Sequence, residues 1–221
     1  MTEPDFLHTT RAFYDAIATD YDTHFGEHLA ARPMDRAVLA GFAELVRAAD
    51  AGPVADLGCG PGRVTAHLAG LGLPVFGVDL SPRMVALARR THPQVRFEVG
   101  AMTGLELPDG ALGGIVAWYS IIHTPQERLP ELCAAFHRLL APGGMLLLAF
   151  QVGDEPLHVA QPFGHPVALD FRRRRPDRIA GLLTAAGLEV RTRMLREPDE
   201  ELGESTPQAV LMARKPAGAA G

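Results

Sequence analysis

Two aspartates and three glycines are the residues of this chain whose types and spacing favour chemistry, and the chemistry they favour is binding. Asp56-Leu57-Gly58-Cys59-Gly60-Pro61-Gly62 follows the apolar pair Val54-Ala55 and opens into a helical stretch at Arg63. A strand that ends in a glycine-rich turn and runs straight into a helix presents backbone N–H groups and a positive dipole end to a ligand. Gly58 and Gly60 can take backbone angles that a side chain forbids, and they leave room for a ligand against the main chain. The third glycine comes one residue too early for the dinucleotide fingerprint, and Asp56 and Pro61 also depart from that pattern. Asp79 closes the apolar run Val75-Phe76-Gly77-Val78, in the position of an acid that pairs with a ribose diol.

Further along, Trp118-Tyr119-Ser120-Ile121-Ile122-His123-Thr124-Pro125 follows another apolar run. His123 is the leading candidate base, since an imidazole accepts a proton near neutral pH and suits a hydroxyl, phenol or amine nucleophile. A helix-capping or cleft-lining histidine is the plainer alternative. Tyr119 could orient a substrate through its hydroxyl, or simply pack. The segment 152–175 gathers His158, Gln161, Phe163, His165 and Asp170 among prolines and glycines. There His158 and His165 are candidates for substrate hydrogen bonding or for a catalytic cluster with His123. Their spacing matches no compact ligand motif, so no metal is expected. Arg172-Arg173-Arg174-Arg175 could hold a phosphorylated or carboxylated group, although a charge run ahead of a helix is more often a solvated face. Tyr14 and Tyr21, seven residues apart, share one helical face. They either fold over a ligand or staple the helix to a sheet.

The elements that must position these residues follow from periodicity. Helical patterning runs from Phe6 to Ala49, and short apolar runs then alternate with helical segments, which calls for a parallel sheet. Strands are predicted at Val54–Leu57, Val75–Val78, Val95–Val99, Gly114–Trp118 and Met145–Gln151, with helices at Arg63–Ala69, Pro82–Thr91 and Gln126–Leu140. Pro142-Gly143-Gly144 is read as a turn. A last helix, Pro176–Ala186, is expected to end at Gly187 as a left-handed cap, before an antiparallel pair at Leu188–Arg196 and Pro207–Arg214. The tail 216–221 is expected to be disordered.

Asp56 to Gly62 and Gly77-Val78-Asp79-Leu80-Ser81-Pro82-Arg83-Met84 resemble the first two motifs of the class I S-adenosylmethionine-dependent methyltransferases. Tyr14 to Asp22 resembles the N-terminal element of the ubiquinone and menaquinone biosynthesis type, and Leu139-Leu140-Ala141-Pro142-Gly143-Gly144 resembles the family's entry into its fifth strand. The resemblance implies an α/β, three-layer Rossmann-like fold with a seven-stranded, mostly parallel sheet whose last strand is reversed. It divides the chain into an N-terminal helical lid (1–50), a methyltransferase domain (51–215) with a substrate cap at 152–175, and the tail. It also implies S-adenosyl-L-methionine as cofactor, with S-adenosyl-L-homocysteine as product. Carried over, Gly58, Cys59 and Gly60 pass against the methionine and ribose portion with Asp56 and Tyr21, Asp79 holds the ribose, and Leu80 and Met84 flank the adenine. Many relatives place an acid after the third strand, whereas this chain reads Gly100-Ala101-Met102, so main-chain groups of Ala101 and Met102 are expected to read the adenine edge. Tyr119 falls where the family lines the pocket near the methyl group.

Composition narrows the acceptor. The 221 residues, 47% hydrophobic, suffice for one core of ordinary size. Twenty-one basic against 26 acidic residues give a net charge of −5, which offers nucleic acid no global attraction. Two cysteines support neither a disulfide framework nor a cysteine-rich metal site. No apolar run approaches membrane-spanning length, and no signal peptide is evident, so a cytoplasmic monomer or homodimer is expected. The leading expectation is methyl transfer to oxygen or nitrogen, with carbon open, of a small molecule. A methyltransferase of RNA or protein, or a cofactor-binding protein without transfer, are the alternatives.

Overall fold

The computed structural model describes residues 5–26 and 28–217; the expected tail therefore lies outside the described residues from 218 onward. Two helices, α1 (Asp5–Phe25) and α2 (Pro33–Ala49), precede alternating strands and helices. These are β1 (Val54–Leu57), α3 (Arg63–Gly70), β2 (Val75–Asp79), α4 (Pro82–Thr91), β3 (Arg96–Val99), β4 (Leu112–Trp118), α5 (Leu129–Leu139) and β5 (Leu140–Gln151). A hairpin of β6 (Leu157–Ala160) and β7 (Ala168–Phe171) follows, then α6 (Pro176–Ala185), β8 (Glu189–Arg196) and β9 (Gln208–Arg214).

Seven strands form one sheet in the order β3-β2-β1-β4-β5-β9-β8. Only β9 runs against its neighbours, pairing antiparallel with both β5 and β8, while β1 to β5 pair in parallel. The strands read as unbroken apolar runs because both faces are covered. Along β5, Leu146, Leu148 and Phe150 face a cluster with α5 and α6, and Met145, Leu147 and Ala149 face Leu39, Phe42, Ala43 and Val46 of α2. That alternation is the period of two of a strand. The expected turn at Pro142-Gly143-Gly144 is taken up inside β5, whose pairing with β4 shifts register between Leu112 and Gly114. The expected lid 1–50 divides in two: α2 is a layer helix of the core, and only α1 lies outside it. Both cysteines are buried.

Helix boundaries follow local chemistry. Ser81 caps α4, its hydroxyl accepting from the Met84 amide at 3.0 Å with Pro82 next in line. Gly187, at φ +88°, follows α6 in the left-handed region, as expected. The hairpin β6–β7 lies in the segment 152–175, for which periodicity predicts no strand. Its four-residue strands bury only Leu169 fully, so no apolar period marks them.

One buried ionic cluster ties α2 to the far edge of the sheet. Glu204 accepts from Arg32 and, through both oxygens, from Arg196 at 2.6 and 2.8 Å. Burial alone would raise the Glu204 carboxyl, but these partners and the Asp199 amide hold it down at about 2. Glu204→Gln leaves two guanidinium groups without their counter-charge and is expected to cost about 3 kcal/mol in urea unfolding. Because a depressed carboxyl stabilises only while ionised, the difference from wild type should be full above pH 4.5 and shrink as the pH falls toward about 2.

Candidate active site

The strand order reverses between β1 and β4, and a crevice opens beyond the carboxyl ends of the strands at such a switch point. The glycine turn after β1, Asp79 at the end of β2, Gly100 to Met102 after β3, and Trp118 to Ser120 with His123 and Thr124 at and beyond the end of β4 all border it. The cleft encloses about 1030 Å³, its open mouth included, and α1 closes one side with Phe6, Leu7, Thr10, Tyr14 and Tyr21.

Gly58 sits at φ +77°, where a Cβ would lie 2.4 Å from the Cβ of Ser120. Ser120 is itself anchored, its hydroxyl donating to the Leu57 carbonyl at 2.6 Å. Gly60, at φ +54°, has no atom within 4 Å on the side a Cβ would occupy. The amides of this turn do not await a ligand. Gly58 and Cys59 donate to the Val78 carbonyl, Gly62 donates to the Cys59 carbonyl, and Gly60 donates to Asp79 Oδ2 at 2.8 Å. The turn therefore offers empty space more than free donors, which corrects the sequence-based expectation.

Asp79 accepts from two amides, Gly60 at Oδ2 and Ser81 at Oδ1, both at 2.8 Å. Burial pushes its carboxyl up to about 6, against the pull of these bonds and helped by Asp15. Asp56 lies deeper, 1% exposed, and accepts from the Thr65 hydroxyl at 2.7 Å. Burial raises it to about 7. Cys59 lines the cleft with its thiol buried beside Gly77 of β2 and among Val85, Ala88 and Phe97, and burial also raises that thiol.

His123 and Tyr14 meet across the cleft, Nε2 and hydroxyl 2.8 Å apart. The other ring nitrogen of His123 is buried without a hydrogen-bond partner among the described residues, as is the hydroxyl of Thr10. Burial, then the nearby Arg172 and Arg174, lower His123 to about 3. This corrects the expectation of an imidazole poised near neutral pH: the ring stays neutral and weakly basic. Tyr119 holds φ +54°, an uncommon backbone for a non-glycine residue, with its amide donating to Ala149. Burial raises its phenol.

Tyr21, Asp56, Gly58, Cys59, Gly60, Asp79, Leu80, Met84, Ala101, Met102, Tyr119 and His123 all line the cleft. His158 and His165 do not. His158 pairs with Asp170 across the hairpin at 2.8 Å, 65% exposed, and His165 pairs with Asp20 of α1 at 2.8 Å. These two corrections share a cause, since the hairpin turns its polar side chains outward and packs Leu169 against Phe13 and Ile17 of α1. Other bonds fasten α1. Asp15 accepts from the Ser81 hydroxyl and the Arg83 amide at 2.6 and 3.1 Å, and Arg63 holds the Phe25 carbonyl and the Tyr21 hydroxyl. Sequence reasoning missed Leu7, Thr10 and Arg63. Leu7 and Thr10 stand on the helical face of Tyr14 and Tyr21, and that spacing could have found them.

Residues 54–144 match the model of a family described as a methyltransferase domain. A demethylmenaquinone methyltransferase of Chlorobaculum parvum is 28% identical over 179 residues, 79% of this chain and 70% of that protein. An N-demethylindolmycin N-methyltransferase of Streptomyces griseus is 33% identical over 135 residues, 59% of this chain and 54% of that one. The chain spans about half the length of several further curated relatives. Among solved structures, the magnesium protoporphyrin IX methyltransferase of Synechocystis, with S-adenosylmethionine bound, superposes with a TM-score of 0.70 over 97% of this chain and 99% of its own, at 18% identity.

Proposed function

We propose that this chain, a class I S-adenosylmethionine-dependent methyltransferase, methylates a nitrogen or an already ionised oxygen of a small molecule with an apolar or aromatic face. When bound, S-adenosylmethionine supplies a methyl group activated on a sulfonium for in-line displacement. The cleft fits it on three observations: the open side of Gly60, the orphaned Thr10 hydroxyl, and an acid at the end of β2. In this reading Asp79 holds the ribose hydroxyls, Tyr21, Asp56 and Gly58 to Gly60 border the methionine portion, and Leu80, Met84, Ala101 and Met102 border the adenine. Tyr14, Trp118 and Tyr119 offer the acceptor an aromatic wall. By their names, the demethylmenaquinone and N-demethylindolmycin enzymes act on small molecules, which supports that acceptor class.

The observation that carries the choice of nucleophile is the buried His123, held near 3 beside Tyr14. A base that weak removes no proton from an alcohol. Attack by a neutral amine needs no base in the transition state, and an ionised oxygen has lost its proton beforehand, so positioning in near-attack geometry suffices. Tyr14 and His123 then orient the acceptor. The test is S-adenosylhomocysteine release with amine and phenol acceptors in wild type and His123→Gln. The variant is expected to keep kcat within about tenfold, since general-base catalysis is worth about 10²–10⁴-fold. A larger fall in kcat at unchanged acceptor KM would return His123 to the role of base.

A further inference from the structure

The run Arg172 to Arg175 is not a solvated face. With Arg178 at the start of α6 it lines a second cavity of about 710 Å³, open mouth included, where five arginines face one carboxylate, Asp154, in a chain of net charge −5. The cavity is built from fixed parts. Arg174 is 4% exposed, and its guanidinium donates to the carbonyls of Ile121 and Thr124 and to Gln126 Oε1. Its main chain is pinned to the end of β5, the amide donating to Gln151 at 2.8 Å. Gly153 makes room for the stem of Arg173, whose Cδ would lie 2.8 Å from a Cβ there. Among the described residues only Arg175 of the five has a carboxylate partner, Asp154, and the buried Nε atoms of Arg173 and Arg174 have no hydrogen-bond partner. Five crowded cations in a concave site, four of them without a carboxylate partner among the described residues, call for an anion.

We propose that this cavity binds a small phosphate-bearing molecule, at a site separate from the methyl-transfer cleft. Guanidinium groups match phosphate oxygens with paired N–H donors, which a lysine cluster would not do. The N terminus of α6 adds its positive dipole end. The arginines gather around one half-open concavity rather than along a stripe, which favours a small molecule over nucleic acid. No residue lines both cavities, yet the segment 121–126 walls both, with His123 and Thr124 on the cleft and Gln126 on the arginine side. A phosphate that draws on Arg172 and Arg174 competes with the carbonyls of Ile121, His123 and Thr124 that they hold, so occupancy reaches the turn carrying His123.

The test is calorimetric titration of the full chain with inorganic phosphate and pyrophosphate at constant ionic strength, in wild type, Arg173→Gln and Arg178→Gln. Saturable binding is expected, weaker by about tenfold or more in each variant, the worth of one charge-assisted hydrogen bond. S-adenosylhomocysteine should bind all three proteins alike and should not displace the phosphate. Absent saturation, equal affinity in the variants, displacement by S-adenosylhomocysteine, or tighter binding of a short RNA would each overturn the proposal. Failure of S-adenosylhomocysteine to bind wild type, with phosphate binding intact, would instead count against the proposed cofactor cleft alone.

Discussion

Asp79→Ala is expected to weaken S-adenosylmethionine binding by about 1–3 kcal/mol, roughly 5- to 150-fold in Kd, through loss of charge-assisted hydrogen bonds. The proposed role of Asp79 in holding the ribose is not its only one. Its two oxygens already satisfy the amides of Gly60 and Ser81, so the alanine variant also orphans two donors at the turn and at the entry to α4. Some loss of stability should accompany the loss of affinity. Asp79→Asn separates the effects, because its amide oxygen can still accept from one backbone N–H while the charge is gone. If Asp79→Asn unfolds near the wild-type midpoint but binds the donor weakly, the carboxylate belongs to the ligand. Unaltered calorimetric affinity in both variants would remove Asp79 from the site.

Gly58→Ala is expected to be the more damaging change to the fold, by about 3 kcal/mol or more in chemical unfolding. An added Cβ would lie 2.4 Å from that of Ser120 and would hold φ +77°, and the anchored Ser120 cannot retreat without giving up its bond to Leu57. Two companions make the result diagnostic. Gly60→Ala meets no neighbouring atom, so it should cost only the left-handed backbone penalty, about 1–2 kcal/mol, while its methyl group intrudes on the donor and lowers affinity. Gly58→Ala combined with Ser120→Gly removes the opposing carbon and should recover part of the lost stability; strict additivity of the two changes would show that the contact is not the cause.

The sheet was legible because it is buried on both faces. Runs such as Val54 to Leu57 and Met145 to Phe150 cannot be solvent-facing, and the glycine turn and Asp79 fall at strand ends by sequence alone. The hairpin was illegible because Leu157 to Ala160 and Ala168 to Phe171 owe their pairing to cover supplied by α1, far away in the chain. The position of His123 could be read but not its basicity, since that is lowered first by burial under α1 and β7 and then by Arg172, which reaches its carbonyl from 49 residues downstream. Likewise four consecutive arginines carry no sign that one of them is buried. The outward histidines, His158 and His165, were misjudged because polarity gathered in a segment does not say which way a strand turns it.

Phe13, Ile17 and Leu169 bury themselves against one another and not within the clusters of the sheet. Parting α1 and the hairpin from the strands therefore breaks the polar ties of Arg11, Tyr14, Asp15, Tyr21 and Phe25 and lifts Phe171 off the main cluster, while the α2 side of the sheet keeps its own cluster. Substitutions on the outer faces of α1 and the hairpin can thus alter access to the proposed donor cleft while drawing on little of the cohesion of the sheet beneath.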